Sequence, residues 1–419
     1  MREYPRMASR RRDPVPAVAL LLTAPLLVIA ACSAPPVQEP AIEVVAQEGA
    51  FDPLAITLTG LGAGQEVRLE ATAGIGGSAY SSHATFIADD EGRVDLADVA
   101  PTDGSWTTPD AMGPFWSMVG PPSAVFERRA DHQVRLTVSA GDEELTHVVV
   151  ERRGALTDAR FREVGDDGLI AYYAAPSDLS TDEPLPAVLV FGGSEGGLDA
   201  ARASADSIAA LGYPALAVSY FKSPGQPSTL TEVPVETFLT GLEWLRAQPG
   251  VDTERVFAFG TSRGGEMALW LAANRPEQVY GAFAPVGAGY LVCGIPDARK
   301  SAWTFEGSPM PCLPMNEPMG SNTAVQVPVE EVSGPVVLAC GSADAVWRSC
   351  DLLDEMASRF DDPERVHAIV QRGAGHLVTA PPYVPWGLDE PGATPAATHQ
   401  ARVDFWDAVD AVLAQARQE

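Results

Sequence analysis

The sequence predicts an α/β protein in which a mostly parallel sheet with helices on both faces follows a smaller, immunoglobulin-like β-sandwich. Three observations predict it. From about Phe161 onward, short continuous apolar runs alternate with stretches of helical period, the pattern of a parallel sheet buried by helices. Between Ala41 and Arg152 the runs are short, alternate apolar with polar, and are cut by Gly, Pro and Asp, as half-buried antiparallel strands are. A length of 419 residues supports roughly two domains with a core in each.

Residues 1–31 read as an address label. A basic stretch from Arg2 to Arg12 precedes an apolar run, Ala17 to Ala31, that is too short to span a bilayer and is interrupted by Pro25. Its end, Ile29-Ala30-Ala31-Cys32-Ser33, sets small residues before a cysteine and resembles the lipobox at which bacterial lipoproteins are cleaved and acylated on Cys32. Residues 32–40 hold three prolines and read as an extended tether to a membrane. The expectation is an exported protein, anchored through Cys32 and facing the extracytoplasmic side.

The formal charge is −28, and the part beyond residue 31 carries −31, because the leader holds five arginines against Glu3 and Asp13. Such a body repels phosphate backbones, which excludes nucleic acid as a partner. Cys293, Cys312, Cys340 and Cys350 remain, an even number for an oxidising compartment. Four cysteines allow three pairings; closeness along the chain favours Cys293–Cys312 and Cys340–Cys350. No Cys-x-x-Cys or spaced His pair suggests a metal, and no cofactor is expected.

The sandwich, assigned to residues 41–152, draws its strands from Ile56–Thr59, Val67–Glu70, Ala84–Ile87, Val134–Val138 and Thr146–Val150. In the second domain, 160–417, the strand-like runs are Ala187–Phe191, Ala215–Tyr220, Val256–Phe259, Ala282–Val286, Val336–Cys340 and Val366–Val370. The helix-period stretches are Ala200–Leu211, Val235–Ala247, Gly264–Ala273, Asp351–Phe360 and Ala396–Ala416.

Chemistry concentrates in the loops after these strands. Val256–Phe259 runs into Gly260-Thr261-Ser262-Arg263-Gly264-Gly265-Glu266 and then an amphipathic helix, the nucleophile-elbow pattern. Strand and helix nearly touch there, so Gly260 and Gly264 must lack side chains. The turn lifts the Ser262 hydroxyl beside a helix N-terminus that favours a developing oxyanion. A serine needs a base, and six histidines are available. His83, His132 and His147 fall in the β region, His367 in a strand and His399 in the last helix. His376 ends Gly373-Ala374-Gly375-His376 after the final strand, on a loop able to reach the serine.

The acid falls between nucleophile and base in chain order on such a fold. Asp344 follows the strand Val336–Cys340 directly, and would orient the imidazole and stabilise its charged form; Asp351 and Asp354 are the alternatives. The oxyanion donors are expected to be the backbone N–H groups of Arg263 and of Ser194, the latter in the loop Gly192-Gly193-Ser194-Glu195-Gly196-Gly197, where Gly193 or Glu195 could serve instead. That loop lacks Gly-x-Gly-x-x-Gly spacing, so it is no dinucleotide site.

With these blocks the chain resembles the acyl-CoA thioesterase and bile acid-CoA:amino acid N-acyltransferase family across about 41–415. The resemblance lies in Ser82–Phe86, Gly92–Leu96, Gly104–Trp106 and Asp110–Met118, then Gly192–Gly197, Ala217–Phe221, Gly260–Glu266, Asp344 with Trp347, and Gly373–His376 with Pro381-Pro382-Tyr383. It implies an α/β-hydrolase domain, the triad Ser262, Asp344 and His376, and a β domain that helps bound the acyl site, with Met112 and Trp116 as candidates. Within that family a serine nucleophile goes with hydrolysis and a cysteine with transfer to an amino acid. The expected substrate is therefore a small acyl thioester or a related ester, although acyl-CoA is cytosolic and the leader points outward.

Overall fold

The computed structural model describes residues 39–45, 51–75, 78–120, 132–152, 159–165, 168–318, 322–384 and 390–418. The leader and Cys32 lie outside the described residues. Among the described residues, no helix is long and apolar enough to cross a membrane.

The first part is built from two sheets. One is three-stranded, in the order β1 (Ala41–Val45), β2 (Ala55–Thr59), β5 (Val94–Asp95). The other runs β6 (Asp103–Gly104), β4 (Ser78–Ile87), β3 (Glu66–Ile75), β7 (His132–Ala140), β8 (Glu143–Arg152), antiparallel throughout. Alternation explains the packing: Val67, Leu69 and Ala71 point inward from β3, and they share one core with Ile56 and Leu58 of β2 and with Phe86, Val134 and Leu136. A single turn, α1 (Gly113–Trp116), is buried in this core.

The second part is an eight-stranded sheet in the order β19 (Val366–Gln371), β18 (Val336–Gly341), β15 (Gly281–Phe283), β14 (Val251–Gly260), β11 (Leu185–Phe191), β12 (Ala215–Val218), β10 (Ala171–Ala175), β9 (Arg160–Val164). The run from β19 to β12 is parallel, and β10 and β9 join it as an antiparallel edge. Both faces are apolar. On one side Leu189, Val256 and Leu338 pack against α3 (Glu236–Arg246), α4 (Arg263–Asn274) and α5 (Ser349–Ala357). On the other, Val188, Val190 and Phe259 meet α2 (Asp199–Ala210) and α6 (Pro395–Ala416). This is why the central strands read as continuous apolar runs instead of alternating ones.

Two features depart from the sequence expectation. The β9–β10 edge pair lies outside the strand-like runs, because Ala171-Tyr172-Tyr173-Ala174-Ala175 is short and mostly alanine, a weak strand signal. The strand in the Ala282–Val286 run ends at Phe283, although the Ala284 and Val286 N–H groups still bond to β18 carbonyls at 2.9 and 2.7 Å, and Val286 itself has a φ of 46°. Beyond it the chain makes a long excursion before β18. That excursion carries β16 (Trp303–Phe305) and β17 (Ser308–Pro309), which form a small sheet with β13 (Val233–Pro234). Its base is tied by the disulfide Cys293–Cys312; the second disulfide is Cys340–Cys350.

The sandwich and the second sheet meet through named groups. Arg152, at the end of β8 and fully buried, donates from Nε to the Tyr383 carbonyl at 3.0 Å and from Nη2 to that of Asp52 at 2.8 Å. Burial holds this guanidinium down to about 10, with the Asp52 charge acting the other way. Trp116 stacks on His399 of α6 with ring centroids 4.9 Å apart.

Candidate active site

Ser262 sits between β14 and α4 with φ 56° and ψ −119°, a conformation that L-residues avoid. The crowding that forces it is measurable. A Cβ on Gly260 would lie 2.2 Å from the Gly264 carbonyl oxygen, and one on Gly264 would lie 2.2 Å from that of Gly192. Only glycine therefore lets elbow, helix and neighbouring loop close on each other. The Ser262 N–H is held by the Pro285 carbonyl at 3.1 Å. The Arg263 N–H opens α4 at its first helical position, where a helix supplies no acceptor four residues back.

Asp344 leaves the end of β18 and His376 leaves the loop after β19, and the structure brings the two together: His376 Nδ1 and Asp344 Oδ2 are 2.7 Å apart. The other carboxylate oxygen accepts the N–H of Val346 at 2.9 Å and of Trp347 at 3.2 Å. Burial opposes the carboxylate's charge, but the hydrogen bond and charge of His376, with smaller contributions from Ser349 and the Val346 N–H, outweigh it and hold Asp344 below its ordinary value. Ser262 and His376 are both buried, at 7% and 9% exposure, on the same carboxyl edge of the sheet. No hydrogen bond joins the Ser262 hydroxyl to His376 among the described residues; such contacts often tighten only when substrate is bound.

The loop from Gly192 to Gly197 lies against this elbow. Gly193 is the residue packed on Ser262, with an added Cβ falling 3.2 Å from the serine Cβ. Its N–H donates to the Glu195 carboxylate at 3.0 Å, while Ser194 is exposed. Fully buried Tyr220 pins the loop, its hydroxyl donating to the carbonyls of Gly192 at 2.9 Å and Gly193 at 2.6 Å. Burial, then the Glu195 charge, pushes that phenol well above its ordinary value, so it stays a donor.

Three contributors were not legible as site residues. Glu390 accepts the backbone N–H of His376 with both oxygens, at 2.7 and 2.8 Å, fixing that residue's main chain. Glu266, fully buried one turn into α4, pairs with the Arg263 guanidinium and accepts the Val292 N–H at 3.1 Å, while Arg263 Nη2 donates to the Val292 carbonyl at 2.6 Å. Burial raises Glu266 and the Arg263 charge opposes the rise. This pair ties the excursion that follows β15 to Arg263, the residue after Ser262. Trp347 donates from Nε1 to the Val286 carbonyl at 3.0 Å, bracing the Asp344 loop on the same excursion. Of these, Glu266 and Trp347 lay within quoted blocks, though neither was assigned a role; Glu390 is 14 residues from its partner and carries no local signal.

The alternatives take other places. Asp351 pairs with Arg348 on the surface, and Asp354 lies on the exposed side of α5. Met112 and Trp116 are buried within the sandwich core, the sulfur accepting the Leu54 N–H and the indole donating to Asp110. No cluster of potential metal ligands occurs among the described residues.

A mostly parallel sheet with helices on both faces, a strained serine at a strand-to-helix elbow and an Asp–His pair at the same sheet edge define an α/β-hydrolase. Residues 52–164 match the acyl-CoA thioester hydrolase/BAAT N-terminal region and residues 233–393 the BAAT/acyl-CoA thioester hydrolase C-terminal region. The chain belongs to that family. Acyl-coenzyme A thioesterase 1 of Mus musculus is 26% identical over 80% of this chain and 84% of its own length. Mitochondrial acyl-coenzyme A thioesterase 2 of Rattus norvegicus is 28% identical over 80% and 77%. A solved bacterial heroin esterase aligns with 61% of this chain and 85% of its own at 18% identity and a TM-score of 0.42.

Proposed function

We propose that this protein is a serine hydrolase that cleaves acyl thioesters, or related carboxylic esters, through Ser262, His376 and Asp344. The observation that carries the proposal is the strained Ser262 on the sheet edge that also holds the His376–Asp344 pair. Family membership and relatives named acyl-coenzyme A thioesterases support the substrate class. His376 takes the Ser262 proton as Oγ bonds to the acyl carbon. The oxyanion is met by the Arg263 N–H and by the Ser194 N–H of the loop after β11, the Gly193 N–H being engaged by the Glu195 carboxylate. The carbon–sulfur or carbon–oxygen bond then breaks, and His376 gives its proton to the leaving thiol or alcohol. Water, deprotonated by the same imidazole, attacks the acyl-enzyme, releases the acid and restores Ser262.

Hydrolysis is favoured over transfer to an amine because the nucleophile is a serine. The test is a fluorophosphonate probe together with matched CoA thioesters and oxygen esters of several chain lengths. Labelling at Ser262 with release of free acid is expected; full activity in Ser262→Ala, or amide formation that outruns acid release when amino acids are added, overturns the reading.

The chain is also proposed to act outside the cytoplasm, anchored through acylated Cys32. The two disulfides support an oxidising compartment. Loss of membrane partitioning in Cys32→Ala is expected; retention refutes the anchor.

A further inference from the structure

The two disulfides differ in what they enclose. Cys340 is the fifth residue of β18 and Cys350 the second of α5, so their bond closes a loop that contains Asp344 next to its midpoint. We propose that Cys340–Cys350 is a positioning device for the reaction: it holds Asp344 where its Oδ2 meets His376. The inference rests on the triad reading given above.

The loop from Gly341 to Arg348 contains no helix or strand after Gly341, and its tip is open to solvent, with Val346 at 60% exposure. Its near end is well fastened. Ser342 N–H bonds to the Gln371 carbonyl at 3.0 Å, Ala343 N–H to that of Ala374 at 2.9 Å, and Asp344 N–H to that of Gly341 at 3.1 Å. The far end closes on the carboxylate itself and on the start of α5. Trp347 holds the Val286 carbonyl, the Ser349 N–H bonds to the Trp347 carbonyl at 2.8 Å, and α5 begins with no side chain capping its first turn. A first turn without a side-chain cap is the part of a helix that frays first. Opening there releases Val346 and Trp347, whose N–H groups occupy the second oxygen of Asp344 and so set which oxygen faces the imidazole. Cys340 is fully buried in the sheet core, so the bond ties α5's first turn to the most rigid element nearby and removes most of the loop's alternative conformations. The Cys293–Cys312 bond encloses none of these groups. Activity is thereby tied to oxidation of one particular pair.

The experiment uses the full chain labelled with 15N-histidine, with Cys350→Ala and Cys340→Ala made separately and Cys312→Ala as the comparison. The Nδ1–H proton of His376, shifted far downfield by its bond to Asp344, is the spectroscopic readout, identified by its absence in Asp344→Asn. It is expected to broaden or disappear in both Cys340 and Cys350 variants and persist in Cys312→Ala. In parallel, turnover of a short-chain thioester is expected to fall about tenfold in Cys350→Ala but by less than about twofold when Asp344 is already Asn, because the pair acts as one unit. An unchanged proton resonance in a folded Cys350→Ala protein overturns the proposal, and so does an equal loss of turnover in both backgrounds. The resonance reports on the loop whether or not the protein hydrolyses thioesters, so an inactive wild type would count against the reaction assigned and leave the positioning claim decided by the spectrum.

Discussion

Replacing Ser262 by glycine should make the protein more stable than replacing it by alanine, although both changes abolish activity. Ser262 holds φ 56° and ψ −119° because β14, α4 and the loop after β11 leave no other path. Holding a residue with a Cβ there costs about 1–3 kcal/mol. Alanine keeps the Cβ and therefore the cost. It loses only a hydroxyl that makes no hydrogen bond among the described residues, so it is the correct reference. Glycine removes the steric term but adds about 0.5–1 kcal/mol of chain entropy to be lost on folding. The net gain of Ser262→Gly over Ser262→Ala is then about 1 kcal/mol, within a span of about 0–2.5 kcal/mol, or roughly 2 °C in Tm for a domain of this size. Thermal melts of the two inactive variants, followed by near-ultraviolet circular dichroism, measure it directly. Equal Tm values, or a glycine variant that melts first, would falsify the claim that strain is stored at the nucleophile.

Further outcomes follow from the same contacts. Asp344→Asn should lower kcat by about 10³–10⁴-fold with little change in KM, since it removes the group that orients His376. Because the folded Asp344 lies below its ordinary value, its contribution to stability is full above about pH 4 and fades as the pH falls through the depressed value; Asp344→Asn should flatten that limb of acid unfolding. Glu266→Ala leaves the Arg263 guanidinium buried without its partner and should cost about 3–5 kcal/mol in urea denaturation, with loss of Ser262 labelling before global unfolding. His399 is held down to about 4, first by burial and then by the Arg402 charge, whereas an unfolded histidine binds its proton near 6.5. Stability should therefore fall by up to roughly 3 kcal/mol between about pH 6.5 and 4, and His399→Phe, which keeps a ring on Trp116, should abolish that slope.

Much of this protein was legible from local pattern. The period of the apolar residues marks the strands of the parallel sheet and the five longer helices, because burial on both faces of a sheet imposes that texture residue by residue. The elbow was legible for a similar reason: a glycine two positions either side of a serine, between strand and helix, describes one backbone turn. Asp344 and His376 were reached through chain order and loop placement, and the two cysteine pairs through nearness in sequence. What had no signal was everything made by chain segments meeting at a distance. Glu390 on the His376 main chain, Tyr220 on the loop after β11, Arg152 bridging to Tyr383 and the β9–β10 edge each depend on a partner that local pattern does not name. The loop after β11 shows the boundary most clearly. Its glycines announced a close approach, but only the packed structure decided that Gly193, not Ser194, lies against Ser262, with the Glu195 carboxylate on its N–H. Sequence determined which backbone shapes were possible, since steric limits act within a few residues. Tertiary structure decided which groups those shapes brought within hydrogen-bond reach, because that depends on how several loops close on one sheet edge at once.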